Sequence, residues 1–149
     1  MKAKWLYDSK LAKLLTPHGT CHTITIMWWI FTEHSKEDVS ESLIRHESTH
    51  VAQFAGWFWF GILLYFIGLL TMWLPLWWLI PLTQLFYIWY GVEWVIRAII
   101  CKIRKTKDAW HVAYKAIAFE READAMEKSG KVDDVDLVSF LKFYKGGVD

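Results

Sequence analysis

Charge is absent from the middle of this chain. From Val51 to Val92, 42 consecutive residues, there is no Asp, Glu, Lys or Arg. A helix there has no polar face to show to water, which argues against a surface helix or a soluble helical hairpin. Cysteine is scarce as well. Cys21 and Cys101 are the only two, without CxxC spacing or the density of a secreted disulfide scaffold. Both are read as free thiols, which leaves metal binding to histidine and carboxylate. Net charge is only +1, and the basic residues gather at Lys2 to Lys13 and Lys102 to Lys107, beside apolar segments. That pattern disfavours a nucleic-acid partner and suits a membrane protein. The apolar stretch Ile24 to Phe31 is short and lacks a small-residue cleavage site, so no secretory signal is expected. Internal repeats and low-complexity linkers are also missing.

Apolar and aromatic residues are abundant. They make up 54% and 17% of the 149 residues, with 11 Trp. The length fits a single domain, 1–149. Residues 1–15 read as a short amphipathic helix stopped at Thr16-Pro17-His18-Gly19. Cys21 to Phe31 is rich in β-branched and aromatic residues and reads as a strand. A helix is expected to start near Asp38 or Ser40. The uncharged stretch is too long for one membrane crossing and about right for two, at about 20 residues each. Pro75 and Pro81 bracket a natural turning point, giving spans of about 54–74 and 82–100. Ala109 to Lys128 has helical periodicity stopped by Ser129-Gly130. A last helix over "LVSFLKFYK" would be capped by Asp133 or Asp134.

The residues that carry chemistry sit beside this apolar stretch. His46-Glu47-Ser48-Thr49-His50 spells HExxH. In a helix, positions i and i+4 share a face, so His46 and His50 can direct ring nitrogens to one Zn2+. Glu47 lies about 100° around the helix, placed to take a proton from the attacking water and deliver it to the leaving amine. A catalytic zinc needs a third protein ligand. Within "AFEREADAME" Glu120 is the best candidate. Asp124, one turn later, would orient a ligating histidine from outside the coordination sphere, and Ala123 on the same face would allow close helix approach. Glu122 is expected to face away. His18, His22, His34 and His111 read as surface or interface residues, with His22, His111 and Tyr114 kept as weaker candidates for polarising a substrate carbonyl.

For Glu120 to meet His46 and His50, both helices must lie on one side of the bilayer, which an even number of crossings achieves. The apolar hairpin, about 54–100, is therefore expected as an insertion between the halves of the metal site, putting the metal at the membrane surface. Trp and Tyr near the span ends fit interfacial belts, and the lysine and arginine clusters point both termini and the site to the cytoplasm. Glu93 and Arg97 stand i, i+4 in the second span, where charges are costly unless paired. An intrahelical ion pair is the favoured reading. In the sharper one, Glu93 supports the HExxH helix by accepting from a polar group such as Gln53.

HExxH followed by a downstream ExxAD resembles the glutamate-zincins, in particular the integral-membrane CAAX-processing and heat-shock type of metallopeptidase. More closely, "TITIMWWIF", "HESTHVAQ", "YGVEWVIR" and "AYKAIAFEREA" are similar to a family of small bacterial membrane proteins assigned as zinc metallopeptidases of unassigned substrate. The similarity runs from about Thr20 to Lys145. Arg45 and Phe54 stand where that family tends to have Asn and a second Gln. The resemblance implies His46, His50 and Glu120 as ligands and Glu47 as base, on a mainly α fold: a minimal glutamate-zincin core with a short edge strand and an inserted two-helix transmembrane hairpin. The expected function is a membrane-embedded zinc metallopeptidase of the bacterial inner membrane, taking a peptide or protein substrate that adds along the edge strand. A non-catalytic membrane protein with a structural or vestigial metal site is the alternative. A third reading makes the aromatic hairpin itself, as a membrane-perturbing or interaction element, the functional part.

Overall fold

The computed structural model describes residues 3–15, 22–129 and 135–145. The chain is mainly helical, with one small sheet. It divides into two compact units, Met1–Ala55 with Ala123–Val135, and Gly56–Glu122 with Asp136–Asp149. Two helices, Glu41–Met72 and Ala118–Ser129, each run unbroken from one unit into the other.

The first unit holds strands β1 (Lys4–Leu6), β2 (Thr23–Ile26) and β3 (Trp29–Thr32) in the order β1-β3-β2. β1 runs parallel to β3, with Lys4 opposite Trp29, and β2 runs antiparallel to it, with Ile26 opposite Trp29. The single strand expected over Cys21 to Phe31 is thus a hairpin. Met27 adopts a left-handed backbone conformation (φ 57°), which lets a two-residue loop follow the twist of its strands. The hydroxyls of Thr23 and Thr32 meet at 2.9 Å in the buried face of this hairpin. The single helix expected over residues 1–15 is also corrected. Its first part pairs with the edge of β3, Asp8 turns the chain at φ 51°, and only α1 (Lys10–Leu15) is helical, with Ala12 fully buried. The expected stop at residues 16–19, Cys21, Gly130 and the caps at Asp133 or Asp134 lie outside the described residues.

Helix α2 (Glu41–Met72) starts where the sequence put it. Ser40 Oγ accepts from Leu43 N at 3.2 Å, satisfying one of the open donors of the first turn. The helix is 32 residues long, and by length and composition it can cross a membrane.

In the second unit α2 continues to Met72 and ends at Trp73, which is left-handed (φ 52°). A 3₁₀ turn (Leu76–Trp78) leads into α3 (Leu79–Thr83) and α4 (Leu85–Ile103), bent by 50° at the break between them. Pro81 therefore lies in the first turn of α3, where its missing N–H costs nothing, and the helical run starts earlier than the expected Leu82. Gly61 is required by close approach: a Cβ there would stand 2.0 Å from the Leu82 carbonyl oxygen.

α5 (Ala109–Lys115) and α6 (Ala118–Ser129) replace the single helix expected over 109–128. The break falls where the Glu93 carboxylate accepts the Ala118 N–H, so α6 is capped from α4 rather than by a preceding turn. Phe119 is fully buried and stacks on Phe140 at 4.3 Å, with Phe86 and Trp57 against the same ring. Phe140 belongs to a 3₁₀ helix, Ser139–Lys145, which falls within the last helix expected. Asp136 Oδ1 accepts from Val138 N at its start. Cys101 is buried as a free thiol among Ala98 and Ala113.

Candidate metal centre

In the first unit, α2 carries His46, Glu47 and His50, all buried. The Nε2 atoms of His46 and His50 are 3.2 Å apart. Both Nδ1 atoms lie near oxygens. His50 Nδ1 lies 2.9 Å from Gln53 Oε1. His46 Nδ1 lies 3.4 Å from Asp124 Oδ1 and 3.3 Å from Glu127 Oε2. An imidazole whose Nδ1–H is held by an oxygen presents the lone pair of Nε2, the arrangement that Gln53 Oε1 allows for His50. Nitrogens about 2.05 Å from a tetrahedral zinc stand about 3.3 Å apart, so the spacing of the pair fits that ion.

Glu47 points to the sheet. Its Oε2 accepts from Thr25 Oγ1, on edge strand β2, at 2.6 Å. The base candidate is thereby tied to the strand along which a peptide was expected to add. Thr49 is fully buried, its hydroxyl donating to Arg45 O at 2.9 Å. Arg45 Nε donates to the Glu127 carbonyl at 3.2 Å, fastening α2 to the last turns of α6. Phe54 is buried edge-on against Trp28. His46, Asp124 and Glu127 also form a group able to hold a metal ion, their ligand atoms all within 4.8 Å of one another.

In the second unit, Glu120 occupies the first turn of α6 and is 1% exposed. Its Oε1 accepts from the Tyr90 hydroxyl at 2.6 Å. Glu93 Oε1 accepts from Arg97 Nε at 2.7 Å and from Ala118 N at 3.0 Å, and its Oε2 from the Tyr144 hydroxyl at 2.8 Å. The ion pair is the intrahelical one expected, and Gln53 engages His50. Glu122, expected to face away, is fully buried.

His22 is exposed, 3.3 Å from Glu33 and edge-on to His34, and His111 is exposed on α5. His18 lies outside the described residues. Three residues were missed by sequence reasoning: Thr25, Glu127 and Tyr90. Glu127 had a signal, because it follows Asp124 at i+3 and so shares its face. Thr25 and Tyr90 had none beyond being hydroxyls in apolar segments.

No family model, curated protein or solved structure matches this chain.

Proposed function

We propose that the chain is a membrane-embedded zinc metallopeptidase, with His46, His50 and Glu120 as metal ligands and Glu47 as general base. The observation that carries this reading is the His46–His50 pair: two buried imidazoles on one face of α2 with their Nε2 atoms 3.2 Å apart. Glu120 is taken as the third ligand from its place in the ExxAD pattern, one turn before Asp124. Within the first unit Arg45 meets Glu127, and His46 meets Glu127 and Asp124. Asp124 and Glu127 are then the carboxylates that orient the His46 ring, a contribution of the kind worth about 10–100-fold in metal affinity.

When bound, zinc supplies Lewis acidity toward the scissile carbonyl and the attacking water. The remaining steps belong to the protein. Glu47, anchored by Thr25, takes the proton of that water and returns it to the departing amine, so one carboxylate serves both halves of the reaction. The backbone of β2 offers an extended peptide its main-chain hydrogen bonds.

α2 beyond the site, with α3 and α4, is read as a two-span hairpin placing the metal at the cytoplasmic membrane surface. In α2 the apolar window is only 17% buried, which favours a lipid-facing helix over a soluble core helix. Leu63, Phe66 and Leu70 on α2, with Val92, Ile96 and Ile99 on α4, are exposed as lipid contact requires.

The test measures zinc content together with cleavage of a quenched fluorescent peptide library in detergent micelles. Glu47→Gln should keep wild-type zinc and lose about 10²–10⁴ in rate. Glu120→Gln should lower zinc occupancy, an amide being a poorer ligand than a carboxylate. Cleavage undiminished in Glu47→Gln removes the peptidase mechanism. Stoichiometric zinc without any cleavage by the wild type favours a structural metal site.

A further inference from the structure

Tyr90 lies on α4, and its hydroxyl donates to Glu120 Oε1 at 2.6 Å, the length of a charge-assisted bond. The ring packs against two neighbouring phenylalanines. It stacks on Phe119 within 6° of parallel at 6.3 Å and leans on Phe86 at 5.9 Å. Three residues on, Glu93 accepts the backbone N–H of Ala118. Two side chains from adjacent turns of α4 therefore grip the first turn of α6, one at its backbone and one at the Glu120 carboxylate.

We propose that Tyr90 is the positioning residue for Glu120, setting both the direction of its carboxylate and its affinity for zinc; this rests on Glu120 being a ligand. The chemistry favours a phenol for the task. A lysine or arginine at this place would neutralise the carboxylate and compete with the cation. A neutral O–H fixes one oxygen and leaves the carboxylate its charge. With Oε1 tied to Tyr90, Glu120 would hold the ion chiefly through Oε2, which would favour leaving a position for water. The aromatic packing adds to the restraint, because the hydroxyl cannot follow the carboxylate without shifting a ring packed on Phe119 and Phe86.

The experiment is a zinc competition titration of the full chain in detergent micelles against a chromogenic chelator of known affinity. It compares wild type, Tyr90→Phe, Glu120→Gln and the double variant. Tyr90→Phe keeps the ring and its stacking and should weaken zinc about 10–100-fold, the range for losing the outer partner of a metal ligand. In the Glu120→Gln background the same change should have almost no further effect, because the carboxylate it orients is gone. A general loss of folding would lower zinc binding in both backgrounds, and that outcome overturns the proposal. Equal affinity in wild type and Tyr90→Phe overturns it alone, leaving the metal site in place. A wild type that binds no zinc removes the proposal together with the reading beneath it.

Discussion

Glu93→Gln is the substitution for which the expected size is best determined by the geometry. The carboxylate is 8% exposed and the Arg97 guanidinium 11%, at 2.7 Å from each other. Ala118 N and the Tyr144 hydroxyl also donate to the carboxylate. Glutamine keeps the volume but removes the charge and turns one acceptor into a donor. Arg97 is left as a buried cation without its counter-charge, and one of two donors, Ala118 N or Tyr144 O–H, faces an N–H₂. Breaking a buried pair from one side costs about 3–5 kcal/mol, whereas losing an exposed pair costs about 0–1 kcal/mol. The two ranges do not overlap, so the measurement decides between them. Reversible unfolding in mixed micelles should show Glu93→Gln less stable by about 3 kcal/mol or more. Arg97→Gln should cost a similar amount, and the double variant well under the sum of the two. A cost below about 1 kcal/mol, or additive costs, would mean that water screens the pair. The assignment of α4 to a low-dielectric environment would then be wrong.

Two further outcomes follow from the second unit. A Cβ on Gly61 would meet the Leu82 carbonyl oxygen at 2.0 Å, so Gly61→Ala should destabilise the chain by about 1–3 kcal/mol in the same assay; a neutral effect would mean that α2 and α3 separate there easily. Burial, helped by the hydrogen bond to Glu93 and its charge, pushes the Tyr144 hydroxyl up from the ordinary 10.0 to about 12, against the lowering effects of Trp89 and Arg97. The fold favours the neutral phenol, so its contribution is full below about pH 10 and is lost as pH rises through about 12. Stability of Tyr144→Phe should accordingly fall less steeply than wild type across that window, and identical slopes would contradict the raised Tyr144 pKa.

What could be read in the sequence was mostly local to one helix. Ser40 as a cap, the shared face of His46 and His50, and the Glu93–Arg97 pair all depend on spacings of three or four residues, which helix geometry fixes without the rest of the fold. The β2–β3 hairpin was hidden because its turn is Met27-Trp28, with no Gly, Asn or Asp to mark a positive φ. β1 was hidden because three residues carry no period of their own and are extended only by pairing with β3. The partners of the candidate site's carboxylates come from distant parts of the chain: Thr25 reaches Glu47 across 22 positions and Tyr90 reaches Glu120 across 30. No spacing rule spans such separations. Glu93 served two roles at once, ion-pair partner of Arg97 and cap of α6, and only the first left a pattern in the sequence.

The central claim is that one zinc ion sits on the two histidines of the HExxH helix. Elemental analysis of the purified full chain, after equilibration with zinc and removal of the excess, tests it most directly. Wild type and Glu47→Gln should each hold one zinc per chain, while His46→Ala and His50→Ala should each hold almost none, since a site needs both nitrogens to keep its ligand count. Zinc near one per chain in His46→Ala, or a wild type without stoichiometric metal, would contradict the account.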